Sequence, residues 1–92
     1  MKVVVDEVAL GDLERIGAWI ATEDPRAARD TLNAILDSID RLGTFPHMGP
    51  HGRAANTYEW LVAGTPYIIV YELQYKPTAL VVLAIFHTSQ DR

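Results

Sequence analysis

The sequence predicts an α+β domain of order β-α-α-β-β-β, a helical hairpin packed on one face of a small antiparallel sheet. Three observations predict it. Two consecutive stretches between Asp6 and Gly43 repeat their apolar residues at helical spacing, with only a few residues between them. Three runs rich in β-branched, aromatic and aliphatic residues then follow between Thr57 and His87, divided by two turn signals. The chain of 92 residues has bulk for one domain, 1–92, and not for two.

Lys2-Val3-Val4-Val5 opens the chain as a short β-branched strand. Asp6 is placed to cap a helix, with Glu7 favourable in its first turn. Leu10, Leu13, Ile16 and Ile20 form one face of that helix, with Asp12, Glu14 and Arg15 expected to turn away. Gly17 offers a close approach for a neighbouring helix. Asp24-Pro25 restarts the chain as a capping acid followed by proline at the first helical position. Ala28, Leu32, Ile35, Ile39 and Leu42 make the buried stripe of the second helix, which is expected to end with Gly43 at C′. The short connection predicts an antiparallel hairpin.

Residues 45–53 form a loop, with two prolines and two glycines. The strands that follow are expected at Tyr58–Val62, Tyr67–Leu73 and Leu80–Phe86, with turns at Gly64-Thr65-Pro66 and Gln74–Pro77. Connections this short require antiparallel neighbours.

Composition narrows the function classes. The apolar share is 49%, which supports a packed domain. There is no cysteine, so disulfides and thiolate sites are excluded. No apolar run approaches the ~20 residues of a membrane helix, and the valines near the start are too few for a signal peptide, so a soluble cytoplasmic protein is expected. Net charge is −4, and residues 6–41 hold nine acids against four bases. Phosphate binding depends on lysine and arginine, so direct nucleic-acid binding is not expected. A basic partner segment fits the acidic helical half better. His47 and His51 have a spacing that suits zinc on a helix, but Gly49 and Pro50 lie between them; no metal and no cofactor are expected. His87, at the end of an apolar strand, would need a neighbouring nucleophile or orienting acid to act in catalysis.

Several segments, in order, resemble the RelE/ParE superfamily of toxins from type II toxin–antitoxin systems, and the ParE branch most. Asp12-Leu13-Glu14-Arg15-Ile16 and Trp19-Ile20-Ala21 resemble its first helix, Pro25-Arg26-Ala27-Ala28 the start of its second, and Phe45-Pro46 with Gly49 the loop beyond. Gly64-Thr65-Pro66-Tyr67-Ile68-Ile69-Val70-Tyr71 is similar to its central hairpin. Val82 to Gln90 is similar to its closing strand and its His-x-x-Gln tail. The chain departs from the pattern at Pro50, where arginine is common, at Tyr58 within Thr57-Tyr58-Glu59, and in its acidic charge.

The resemblance implies a toxin held in a hetero-oligomer by a cognate antitoxin, of the kind tied to plasmid stabilisation, which when free inhibits DNA gyrase by binding rather than by catalysis. It places target contacts at Arg53, His87, Gln90 and Arg92. Antitoxin contacts are expected at Leu13, Trp19, Tyr58 and Trp60, through groove docking and strand addition. Two alternatives stand beside it. One is a ribosome-dependent mRNA interferase of the RelE branch, whose basic cluster would align with Glu59, Leu61, Ile68 and Ser89 here. The other is a decayed toxin that keeps only antitoxin binding.

Overall fold

A computed structural model describes residues 1–90. The elements are β1 (Lys2–Val5), α1 (Glu7–Ala21), α2 (Pro25–Thr44), β2 (Thr57–Leu61), β3 (Tyr67–Tyr75) and β4 (Thr78–His87). The helical hairpin covers one face of a single sheet of order β1-β4-β3-β2. β2, β3 and β4 pair antiparallel as expected. β1 does not continue that pattern. It lies parallel to β4, with Val3 opposite Leu80 and Val5 opposite Val82, so the sheet is mixed. The reason is topological: α1 and α2 intervene before the chain returns, and a long connection permits parallel neighbours.

Asp24 caps α2 as its sequence indicates, accepting from the backbone N–H of Arg26 at 3.1 Å and of Ala27 at 3.0 Å. Asp6 holds the corresponding position before α1, but its side chain makes no capping bond. Its backbone N–H donates instead to the Val82 carbonyl at 2.9 Å, extending the β1–β4 pairing by one step. The core face of α1 runs through Ala9, Leu13, Ile16 and Ile20, while Leu10 lies outside it and is exposed. In the stripe of α2, Ala28, Ile35, Ile39 and Leu42 are buried as read, whereas Leu32 is only half-buried, lying against α1 at Gly17. Gly43 is not a C′ residue but sits within α2, where an added Cβ would meet Val3 Cγ2 at 2.8 Å. Gly17 does admit the neighbouring helix: a Cβ there would lie 2.9 Å from Leu32 Cδ1.

A bulge shapes β4. Val70 pairs with Ala84 and Tyr71 with Val82, leaving Leu83 as the extra residue. The bulge restores Ile85 to the same face as Val82 although three positions separate them. Both join Ile35, Leu42, Ile69, Tyr71 and Leu80 in the core between sheet and helices. β1 ends opposite Val82, so the outer edge of β4 beyond that point has no strand beside it.

Candidate functional site

The uncovered edge of β4 meets α1, and side chains do the work that a strand would otherwise do. Asp12, expected to face solvent, instead points its carboxylate at the sheet and accepts from the Ile85 N–H at 2.9 Å. Its other oxygen pairs with Arg15. Two residues further along β4, the Gln90 side-chain oxygen accepts from the His87 N–H at 2.6 Å, while the Gln90 N–H donates to the His87 carbonyl at 2.9 Å. The tail thus folds back on the strand end.

Between α1 and this strand end lies an open cleft of about 290 Å³, lined by Asp12, Arg15, Trp19, Tyr67, His87 and Gln90 among others. Trp19 is 77% exposed. A tryptophan left in water beside a polar cleft is a strong candidate anchor for a partner. Three of the expected contact residues, Trp19, His87 and Gln90, therefore share one cleft although about seventy residues separate the first from the others.

His87 is set by its neighbours. Its ring packs edge-on against Tyr67, with centroids 5.3 Å apart. Its Nδ1 accepts from the Ser89 N–H at 3.0 Å and lies 2.7 Å from the Ser89 hydroxyl. A backbone N–H can only donate, so Nδ1 is the acceptor and the ring proton sits on Nε2. The single Nδ1 lone pair is thus shared by the backbone N–H and the hydroxyl of Ser89. The pair therefore builds a turn at the end of the strand.

The other expected contacts lie elsewhere. Leu13 is half-buried, packed on the core and lining a groove with Leu32 and Leu36. Tyr58 and Trp60 face the helices from β2, and neither lines the Trp19 cleft. Tyr58 stacks between His51, at 5.0 Å, and Tyr71, at 5.4 Å, with His47 edge-on at 6.1 Å. The two histidines thus serve an aromatic stack, and no cluster of three or more metal-ligating residues occurs among the described residues. Arg53 belongs to the loop over the opposite sheet face, where its N–H donates to Glu59 Oε2 at 3.0 Å. Arg92 lies outside the described residues.

That opposite face carries Glu59 opposite Val70 and Leu61 opposite Ile68. Three of the positions at which the RelE branch would need a basic cluster thus share one surface, filled by an acid and two aliphatic residues. Glu59 is used to hold the Arg53 loop.

The loop after α2 is fixed from below by Tyr71, which the sequence marks only as part of a hairpin. Its hydroxyl donates to the Pro46 carbonyl at 2.8 Å and accepts from the Gly49 N–H at 3.1 Å. Burial pushes the Tyr71 phenol above its ordinary value; the Gly49 bond lowers it, and nearby Tyr58 adds to the rise. An added Cβ at Gly49 would lie 2.7 Å from that hydroxyl and 2.8 Å from the Glu59 carbonyl, so only glycine fits.

Sequence comparison gives the family. Residues 3–92 match the family described as ParE toxin of type II toxin–antitoxin system, parDE. The Y4kP protein of Sinorhizobium fredii, named as a candidate toxin, is 35% identical over 83 residues, covering 90% of this chain and 83% of that protein. This chain belongs to the ParE toxin family of type II toxin–antitoxin systems. Two solved structures share the fold. One is from a chromosomal ParDE toxin–antitoxin system of P. aeruginosa, with a TM-score of 0.81 at 14% identity over 95% of each chain. The other is from the RelBE2 toxin–antitoxin complex of Mycobacterium tuberculosis, with a TM-score of 0.69 at 23% identity over 94% of this chain and 95% of that one. No helix among the described residues is long and apolar enough to cross a membrane.

Proposed function

We propose that this protein is a cytoplasmic toxin that, when free of its antitoxin, inhibits DNA gyrase by binding it, and that the antitoxin and the target compete for the Trp19 cleft. The observation that carries the non-catalytic reading is the sheet face bearing Glu59, Leu61 and Ile68. Electrostatic stabilisation of developing charge is usually the largest catalytic contribution, and an acid with two aliphatic residues supplies none for phosphoryl chemistry. The cleft supports a binding role: it joins an exposed tryptophan to the polar tail residues His87 and Gln90. A segment seated on Trp19 would cover that tail, so neutralisation needs no conformational change.

The deciding measurement is supercoiling of relaxed plasmid by gyrase with and without the purified, folded protein, scoring trapped cleaved DNA. Inhibition is the expected result. Ribosome-dependent cleavage of mRNA with gyrase untouched would defeat the reading. Trp19→Ala is expected to weaken antitoxin binding by about thirtyfold while moving stability by less than about 0.5 kcal/mol. The net charge of −4 favours one second reading, a toxin that has lost its activity and kept antitoxin binding. Harmless expression without antitoxin, together with intact antitoxin binding, would support that alternative.

A further inference from the structure

The chain covers the edges of its own sheet unevenly. The edge of β2 is closed by the loop after α2. There the Glu59 N–H donates to the Pro50 carbonyl at 2.9 Å and the Gly52 N–H to the Thr57 carbonyl at 2.9 Å, with His51 bridging to Tyr58. The edge of β4 beyond Val82 is met by Asp12 at Ile85. The outer edge of β1 has neither device: β1 ends the sheet order, with β4 on one side and no strand on the other.

Register fixes which groups that edge offers. The Asp6 N–H donates to the Val82 carbonyl, so Lys2, Val4 and Asp6 turn their backbone groups toward β4. Val3 and Val5, which alternate with them, aim both N–H and C=O outward, and no other described residue bonds those groups. The side chains alternate as well. Val3 and Val5 pack on the core, which sets Lys2, Val4 and Asp6 on the face away from the helices. All three are exposed, and the Asp6 carboxylate makes no capping bond.

An extended edge with unpaired N–H and C=O groups is a template for another strand. This one is complementary to itself. An antiparallel pairing with its two-fold axis at Val4 sets Val3 against Val5 of the second copy, so that both outward valines of each copy gain partners. The same register sets Lys2 against Asp6 of the second copy, and Val4 against Val4. Opposite charges facing each other across strands stabilise a pair, and like charges destabilise it. Pairings centred on Val3 or on Val5 also align outward groups, but they leave Lys2 or Asp6 opposite Val4.

We propose that the chain, when free of other partners, associates with a second copy of itself through β1, antiparallel about Val4, joining two four-stranded sheets into one. The backbone groups of Val3 and Val5 hold the interface, and the Lys2–Asp6 pairs select its register.

The test is sedimentation of the purified, folded chain over a range of concentrations up to about 0.1 mM, a range that detects micromolar association. A dimer in equilibrium with monomer is expected, weaker as salt rises. Lys2→Glu and Asp6→Lys should each raise the dissociation constant by about tenfold, because each reversal sets like charges opposite at both ends of the interface. Lys2→Glu combined with Asp6→Lys exchanges the charges and should return it to within about threefold of the original. Val5→Pro removes an N–H used only between copies and should abolish association in a chain that still folds. Amide exchange at Val3 and Val5 should slow as concentration rises, and Trp19→Ala should change nothing. A monomer at every concentration would overturn the proposal. So would a dimer that Lys2→Glu and Val5→Pro leave intact, or a folded double reversal that fails to recover it.

Discussion

Two loops are pinned to this sheet by polar contacts, in opposite surroundings. The segment after α2 is held by the Tyr71 hydroxyl, buried beneath it and using both its donor and its acceptor. The tail after β4 is held by His87, Ser89 and Gln90 through bonds of similar length that are exposed to water. Bond lengths alone would rank the two equal. They differ in what replaces the bond when it breaks: water serves the tail at once, whereas the Gly49 N–H and the Pro46 carbonyl would be left without a partner. The first loop is therefore part of the fold, and the second is free to exchange its contacts for those of a partner.

The sharpest way to break the contrast is Gly49→Ala, which forces a methyl group between Tyr71 and the Glu59 carbonyl. It is expected to cost about 3 kcal/mol, read as a lower urea midpoint at unchanged slope. Tyr71→Phe keeps the ring and removes both bonds, for a loss of about 2 kcal/mol, with faster amide exchange at Gly49 as the local signature. The same residue gives a pH test. Burial raises the phenol, so the folded chain holds its proton more tightly than the unfolded chain. That stabilisation is complete below the ordinary value of 10.0 and is lost as pH rises through the higher folded-state value. Wild-type stability should therefore fall in strong alkali by more than that of Tyr71→Phe.

Asp12→Ala falls between the two regions, because Asp12 is half-buried and serves one backbone N–H. A loss of about 1.5 kcal/mol is expected, with exchange at Ile85 accelerated. Its exposed pair with Arg15 adds little. At the bottom of the scale, Gln90→Ala should change stability by less than about 0.5 kcal/mol. If it cost as much as Tyr71→Phe, the distinction between the loops would collapse.

Asp12 also shows where the sequence stops being legible. Helical spacing sorts residues by polarity, and so it assigns Asp12 to water. What draws it inward is the edge that β4 exposes after β1 ends, together with the bulge at Leu83, and neither is written in local pattern. By contrast α2 can be read from capping acid to buried stripe, because Asp24, Pro25 and the apolar repeat are local signals. The β2–β3–β4 meander is legible for the same reason, its turns being short. The parallel place of β1 was not, since three consecutive valines fit either edge of a sheet. The candidate site divides likewise. Trp19, His87 and Gln90 could each be singled out by resemblance, but their meeting in one cleft depends on α1 crossing the end of β4. Tyr58, expected as an antitoxin contact, also forms with the two loop histidines a stack over Tyr71 that no local pattern announces.

The parallel pairing of β1 with β4 has a consequence for synthesis. β1 is made before its partner residues 79–82, which emerge only after both helices and the other two strands. Until then Val3 and Val5 have no strand to lie against, and α1 has no sheet end to cross. The Trp19 cleft cannot exist on a nascent chain, nor on one cut short before β4. A growing polypeptide therefore cannot present the proposed docking cleft until β4 has been made.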